Sequence, residues 1–216
     1  MKNYYFNHKQ IGSYMATRYH VLSECIRVCK PQTIVEIGVH RGDRMEQMIR
    51  AARQYQEDIM YWGYDLWELL PNPELVGHGK GPSSRWQCEQ RLRALEWELK
   101  FLPSTRTQLR QGDIDDTLPR GVEVDLVFID ADHRKESIQR DYKRVKDSQV
   151  IVLDDWYRPQ HLTLGCNDIK HDKKYSLITS SNDACNLTGV EGIECLIVTD
   201  LKQVRDHLLT QGCVEL

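Results

Sequence analysis

Apolar runs and amphipathic stretches alternate along most of the chain. Residues 33–38 (TIVEIG), 60–67 (MYWGYDLW), 105–113 (TRTQLRQGD), 123–133 (EVDLVFIDADH) and 148–156 (SQVIVLDDW) are short and rich in β-branched or aromatic residues, the pattern of strands buried on both faces. Between them the spacing turns helical. Ile11, Tyr14, Met15, Tyr19, Val21, Leu22, Cys25, Ile26 and Cys29 predict a helix over 10–29 that ends by Lys30, just before Pro31. Further helices are predicted over 44–55, 85–101 and 135–145.

Five strands separated by helices call for a parallel sheet covered on both faces and joined by right-handed crossovers. Past Asp155 the pattern loosens. Residues 174–181 and 194–200 read as two strands joined by a turn-rich stretch, which suits an antiparallel pair at one edge. The expectation is an α/β, Rossmann-like, doubly wound sheet of seven strands, mostly parallel, in a single domain over 1–216. It carries an N-terminal helix within 1–30. Residues 70–84 (LPNPELVGHGKGPSS) are rich in Pro and Gly and form the candidate lid, with an ordinary exposed loop as the alternative.

Composition narrows the partners. The 216 residues carry a net charge of −3, which gives no electrostatic reason to expect nucleic acid or an anionic membrane. No apolar run reaches the length of a membrane span, and the N-terminus lacks the layout of a signal peptide. Seven scattered cysteines without a CxxC pair argue against disulfides or zinc, so the expected setting is cytoplasmic with reduced thiols.

Ligands of open α/β sheets bind beyond the carboxyl ends of the strands, and here each of those ends carries an acid: Glu36, Asp65, Asp113, Asp130 with Asp132, and Asp154 with Asp155. A single such acid reads equally as a helix cap, as for Asp43 and Asp132. A row of them needs a donor or a cation between. Gly38 and Gly42, two and six residues after Glu36, would keep the first strand-to-helix turn low beneath a ligand. Asp65, at the end of the second strand, suits ribose hydroxyls. GxGxxG is absent, and an acid before the first glycine faces a pyrophosphate unfavourably but suits a cationic amine. Asp130, Asp154 and Asp155, with no cysteine near, favour a hard octahedral cation such as magnesium.

With VEIGVHRG, YDLW, QGDI and VDLVFIDADH in order, residues 33–155 resemble the class I S-adenosylmethionine-dependent methyltransferases. By that resemblance Glu36, Gly38 and Gly42 border the methionine moiety and sugar, Asp65 the ribose, and Asp113 the adenine. FIDADH with LDD is similar to the metal-dependent small-molecule O-methyltransferases of the catechol and macrolide-sugar type. In that group, carboxylates at these two strand ends hold magnesium, here Asp130, Asp154 and Asp155, and the ion binds the acceptor oxygens.

His133, three residues past Asp130, is then the expected general base, because an imidazole titrates near neutral pH. A surface histidine in the first turn of a helix is its alternative. The expected reaction is O-methylation of a small hydroxylated molecule such as a sugar or natural product, by a chain compatible with a homodimer. Two other classes remain open: a methyltransferase acting on nucleic acid or protein, and a non-catalytic or NAD-dependent nucleoside-binding protein of the same fold.

Overall fold

The computed structural model describes residues 19–69, 83–99, 106–119, 123–157, 163–179 and 193–216. Among the described residues, eight strands form one sheet in the order β3-β2-β1-β4-β5-β7-β6-β8: β1 Thr33–Ile37, β2 Met60–Asp65, β3 Arg106–Gln111, β4 Leu126–Ile129, β5 Val150–Tyr157, β6 Tyr175–Ile178, β7 Ile193–Thr199 and β8 Val214–Glu215. The first five pair in parallel, and β5·β7, β7·β6 and β6·β8 are antiparallel. The expected seven strands are all present. The eighth has two residues, too few for a periodic signal.

Strand alternation divides the side chains into two cores. Ile34, Tyr61, Leu126, Phe128, Val150, Val152, Cys195 and Ile197 face one side, where they meet α1 (His20–Cys29), α2 (Asp43–Ala52), α3 (Arg85–Leu99) and α6 (Lys202–Thr210). Val35, Ile37, Val127, Ile129, Ile151, Leu153, Leu196 and Val198 face the other, beneath α4 (Ile114–Thr117) and α5 (Lys135–Val145). Burial on both faces is why these strands read as unbroken apolar runs.

Helix ends follow local chemistry. α1 stops where Lys30 turns left-handed and donates to the Ile26 carbonyl at 2.8 Å, with Pro31 next. The predicted start of that helix, over 10–18, lies outside the described residues, as do residues 70–82 of the candidate lid. β2 ends at Asp65, two residues earlier than expected, because Trp67 takes a φ of +43° in a short 3-10 turn. β4 ends at Ile129, but Asp130 still donates its N–H to the Ile37 carbonyl at 2.8 Å. The order in which strands are added reverses between the parallel neighbours β1 and β4, and the strand-end acids gather around that switch point.

Candidate active site

At the tip of β1, Gly38 has a φ of +93° and its N–H donates to the Tyr64 carbonyl at 2.8 Å. A Cβ there would collide with the carbonyl group of Asp130, so the glycine is needed first for the chain's own packing. Gly42, with a φ of +80°, precedes α2, and a Cβ there would lie 2.8 Å from Met45 Cε and 3.1 Å from Cys88 Sγ. Asp65 closes this turn onto β2: Oδ2 accepts from the His40 N–H at 2.7 Å and Oδ1 from the Trp67 N–H at 2.7 Å. Each oxygen keeps a second lone pair for a hydroxyl.

Glu36 points into the first core and is fully buried. Its Oε2 accepts a hydrogen bond from the Tyr61 hydroxyl, while Oε1 has no hydrogen-bond partner among the described residues. Burial pushes its carboxyl well above the usual carboxylate range, and the charge of Asp130 adds to the rise against the opposing Tyr61 bond. Asp113 caps α4 by accepting from the Asp115 N–H at 2.9 Å, and it pairs with Arg140 at 3.3 Å while its side chain stays 37% exposed.

Asp130, His133 and Asp155 converge at the tips of β4 and β5, each offering one ligand atom with all three atoms within 4.8 Å of one another. Nδ1 of the buried His133 contacts Asp155 Oδ2. The segment 163–166 holds both residues by their backbones: Gly165 donates to the His133 carbonyl at 2.8 Å, and Cys166 to the Asp155 carbonyl at 3.0 Å. Gly165 has a φ of +87° and packs so tightly on β5 that a Cβ would strike the Asp155 carbonyl. Nothing in LTLGCN marks this glycine as supporting a site until its partner strand is known.

Asp154 does not join this group, which corrects the carboxylate trio expected from LDD. It continues the alternation of Val150 and Val152 toward the first core, where Oδ2 accepts from the Tyr19 hydroxyl at 2.5 Å and Cys195 Sγ lies 3.6 Å from Oδ1. A bulge between Leu153 and Trp156 then lets Asp155 take a φ of +62° and meet His133. Asp132 serves the turn into α5, where the N-cap is Arg134: it accepts from the Arg134 N–H at 3.1 Å and the Ser137 hydroxyl at 2.8 Å. Trp67 is buried, its indole N–H bonded to the His40 carbonyl at 3.0 Å.

An open α/β sheet with a glycine turn and clustered acids at its switch point has the layout of a nucleotide- or nucleoside-binding fold. A family described as a methyltransferase domain matches residues 35–156, more than half of the chain. The chain belongs to that family and is, by class, an S-adenosylmethionine-dependent methyltransferase. Its fold is similar to that of the O-methyltransferase TomG of Streptomyces achromogenes, solved with S-adenosylmethionine. There the identity is 17%, 86% of this chain and 81% of that chain are covered, and the TM-score is 0.53. It is also similar to an O-methyltransferase of Bacillus cereus solved with S-adenosylhomocysteine, at 13% identity, 88% and 85% coverage and a TM-score of 0.54. No curated protein matches the chain in sequence.

Proposed function

We propose that the chain transfers the methyl group of S-adenosylmethionine to a hydroxyl oxygen of a small polyhydroxylated molecule, a sugar or natural product, assisted by a magnesium ion. The observation that carries this reading is the convergence of Asp130, His133 and Asp155 beside the Gly38 turn. In this reading Asp65 receives the ribose hydroxyls on its remaining lone pairs and Asp113 the adenine amine. Glu36, with its unpaired Oε1, and the Gly38 and Gly42 turn border the methionine moiety and the sugar.

With Nδ1 of His133 set against Asp155 Oδ2, a proton carried on Nδ1 would be held by that carboxylate, fixing the ring and leaving the lone pair on Nε2. Nε2 takes the acceptor hydroxyl's proton as its oxygen bonds to the methyl carbon, and the electron pair of the breaking S–C bond returns to sulfur. Aligning oxygen, carbon and sulfur is worth up to about 7 to 11 kcal/mol in intramolecular comparisons. Of the three converging groups, the carboxylates of Asp130 and Asp155 are donors of the kind magnesium takes, one or two with several waters, and they would hold it while the His133 imidazole serves as base. When bound, the ion supplies Lewis acidity toward the acceptor oxygen.

Six described cysteines are free thiols, which accords with a cytoplasmic setting, and no described helix is long and apolar enough to cross a membrane. The test is S-adenosylhomocysteine release across a panel of sugars, phenols and nucleic acids. Small hydroxylated acceptors should be turned over, His133→Gln should lower the rate by about 10²- to 10⁴-fold, and a chelator should suppress it. Turnover of nucleic acid alone would overturn the substrate class, and full activity in chelator would remove the ion.

A further inference from the structure

We infer that Tyr19 is a positioning residue for methyl transfer, holding through Asp154 the bulged turn of β5 that presents Asp155 to His133. The inference rests on the function proposed above and adds to it a residue from outside the strand tips.

Asp154 is held from two elements, by the 2.5 Å bond from the Tyr19 hydroxyl at the start of α1 and by Cys195 Sγ of β7 at 3.6 Å. Both Tyr19 and Asp154 are buried. Tyr19 is itself fixed on every side. The Arg44 guanidinium stacks 4.0 Å above its ring, the Phe128 ring meets it edge-on at 6.2 Å, and Gln47 Nε2 donates to its carbonyl at 2.7 Å and to Ser23 Oγ at 3.2 Å. A tyrosine anchored by α1, α2 and β4 thus fixes the first residue past Leu153, where β5 leaves its regular register.

The next residue pays for that departure in backbone conformation. Asp155 is a non-glycine residue at a φ of +62°, a state that aspartate visits in turns but that regular strand pairing does not hold, so its neighbours decide whether it stays there. Downstream, the Cys166 N–H grips its carbonyl at 3.0 Å. Upstream, the grip is Asp154, and Asp154 is gripped by Tyr19. Without the Tyr19 hydroxyl the buried Asp154 carboxylate loses its short bond, the bulge is free to relax toward regular alternation, and Asp155 moves off His133 Nδ1. Tyr19 then touches neither cofactor nor acceptor, yet sets the orientation of the base.

The experiment is a double-mutant cycle of Tyr19→Phe and His133→Gln on the full chain, read by kcat, by the calorimetric Kd for S-adenosylmethionine, and by the backbone amide resonances of 154–157. Tyr19→Phe should lower kcat roughly tenfold or more, since small misplacements at a reacting centre carry such losses. It should leave the cofactor Kd unchanged, shift the Asp155 amide resonance, and cost nothing further once His133 is already Gln. Equal losses in both backgrounds, or an unmoved Asp155 resonance, would overturn the inference. If the unmodified chain transfers no methyl group to any hydroxylated acceptor, the proposed function fails, and the Asp155 resonance alone decides the role of Tyr19.

Discussion

Gly38 and Asp130 lie backbone against backbone, so that a Cβ on Gly38 would occupy the space of the Asp130 carbonyl. This contact joins the turn after β1 to the tip of β4, and therefore the expected cofactor turn to the cluster of Asp130, His133 and Asp155. Gly38→Ala combines that collision with a φ of +93°. The backbone conformation alone should cost about 1 to 3 kcal/mol, lowering the melting midpoint of a chain of this size by roughly 2 to 12 °C, and the collision adds to that loss. Cofactor affinity should fall with it. Thermal melts and calorimetry check both, and an unchanged midpoint would show that the β1 and β4 tips do not press together.

The buried pair of Glu36 and Tyr61 makes a prediction about protons. Burial favours the neutral carboxyl of Glu36, while a cationic amine placed against Oε1 would favour the ionised form. Binding of S-adenosylmethionine should then release a proton, and affinity should rise with pH. Calorimetry in two buffers of different ionisation enthalpy measures the release directly. Glu36→Gln should keep the fold and abolish the proton release, and identical heats in both buffers for the unmodified chain would contradict the placement of Glu36.

Asp141 gives a stability prediction far from the reaction. Burial raises its carboxyl from 3.8 to about 6, and the adjacent Arg140 opposes the rise only in part. A raised acid binds its proton more tightly in the folded state, so stability is full below the unfolded value and declines as pH climbs from about 4 through 6. Asp141→Asn should remove that decline and recover up to about 3 kcal/mol at neutral pH. Melting midpoints from pH 4 to 7 for the two proteins would read it, and parallel curves would reject it.

Asp155→Asn separates backbone from charge. Asparagine tolerates left-handed backbone as well as aspartate does, so the turn at +62° should persist and the melt should not move. The carboxylate that fixes the His133 ring is gone, and the rate of methyl transfer should drop by about 10²- to 10⁴-fold, as when an orienting aspartate is lost from a histidine base. A rate within twofold of the parent would mean that His133 is oriented by something else.

The sheet was legible because each parallel strand is buried on both faces and leaves an unbroken apolar run, and because Pro31 and the strand-end acids punctuate the elements. Residue direction at the tips was less so. LDD reads as two carboxylates at one site, but neighbours on a strand point to opposite faces, and only a bulge turns Asp155 back toward His133. No glycine marks that bulge in the sequence. Alternation through Val35 and Ile37 does place Glu36 on the face of Tyr61 and Phe128, a signal present in the pattern but overshadowed by the motif it belongs to. Tyr19 meets Asp154 across a long separation and Gly165 meets Asp155 across a loop, and nothing local announces either.

The most direct measurement is a crystal structure of the chain with S-adenosylhomocysteine and magnesium. The account predicts the nucleoside across the Gly38 to Gly42 turn with its ribose on Asp65, an ion held by Asp130 and Asp155, and His133 Nε2 facing the space beyond the sulfur. A nucleoside bound elsewhere, or a His133 ring turned away from that space with Asp155 no longer beside it, would contradict it.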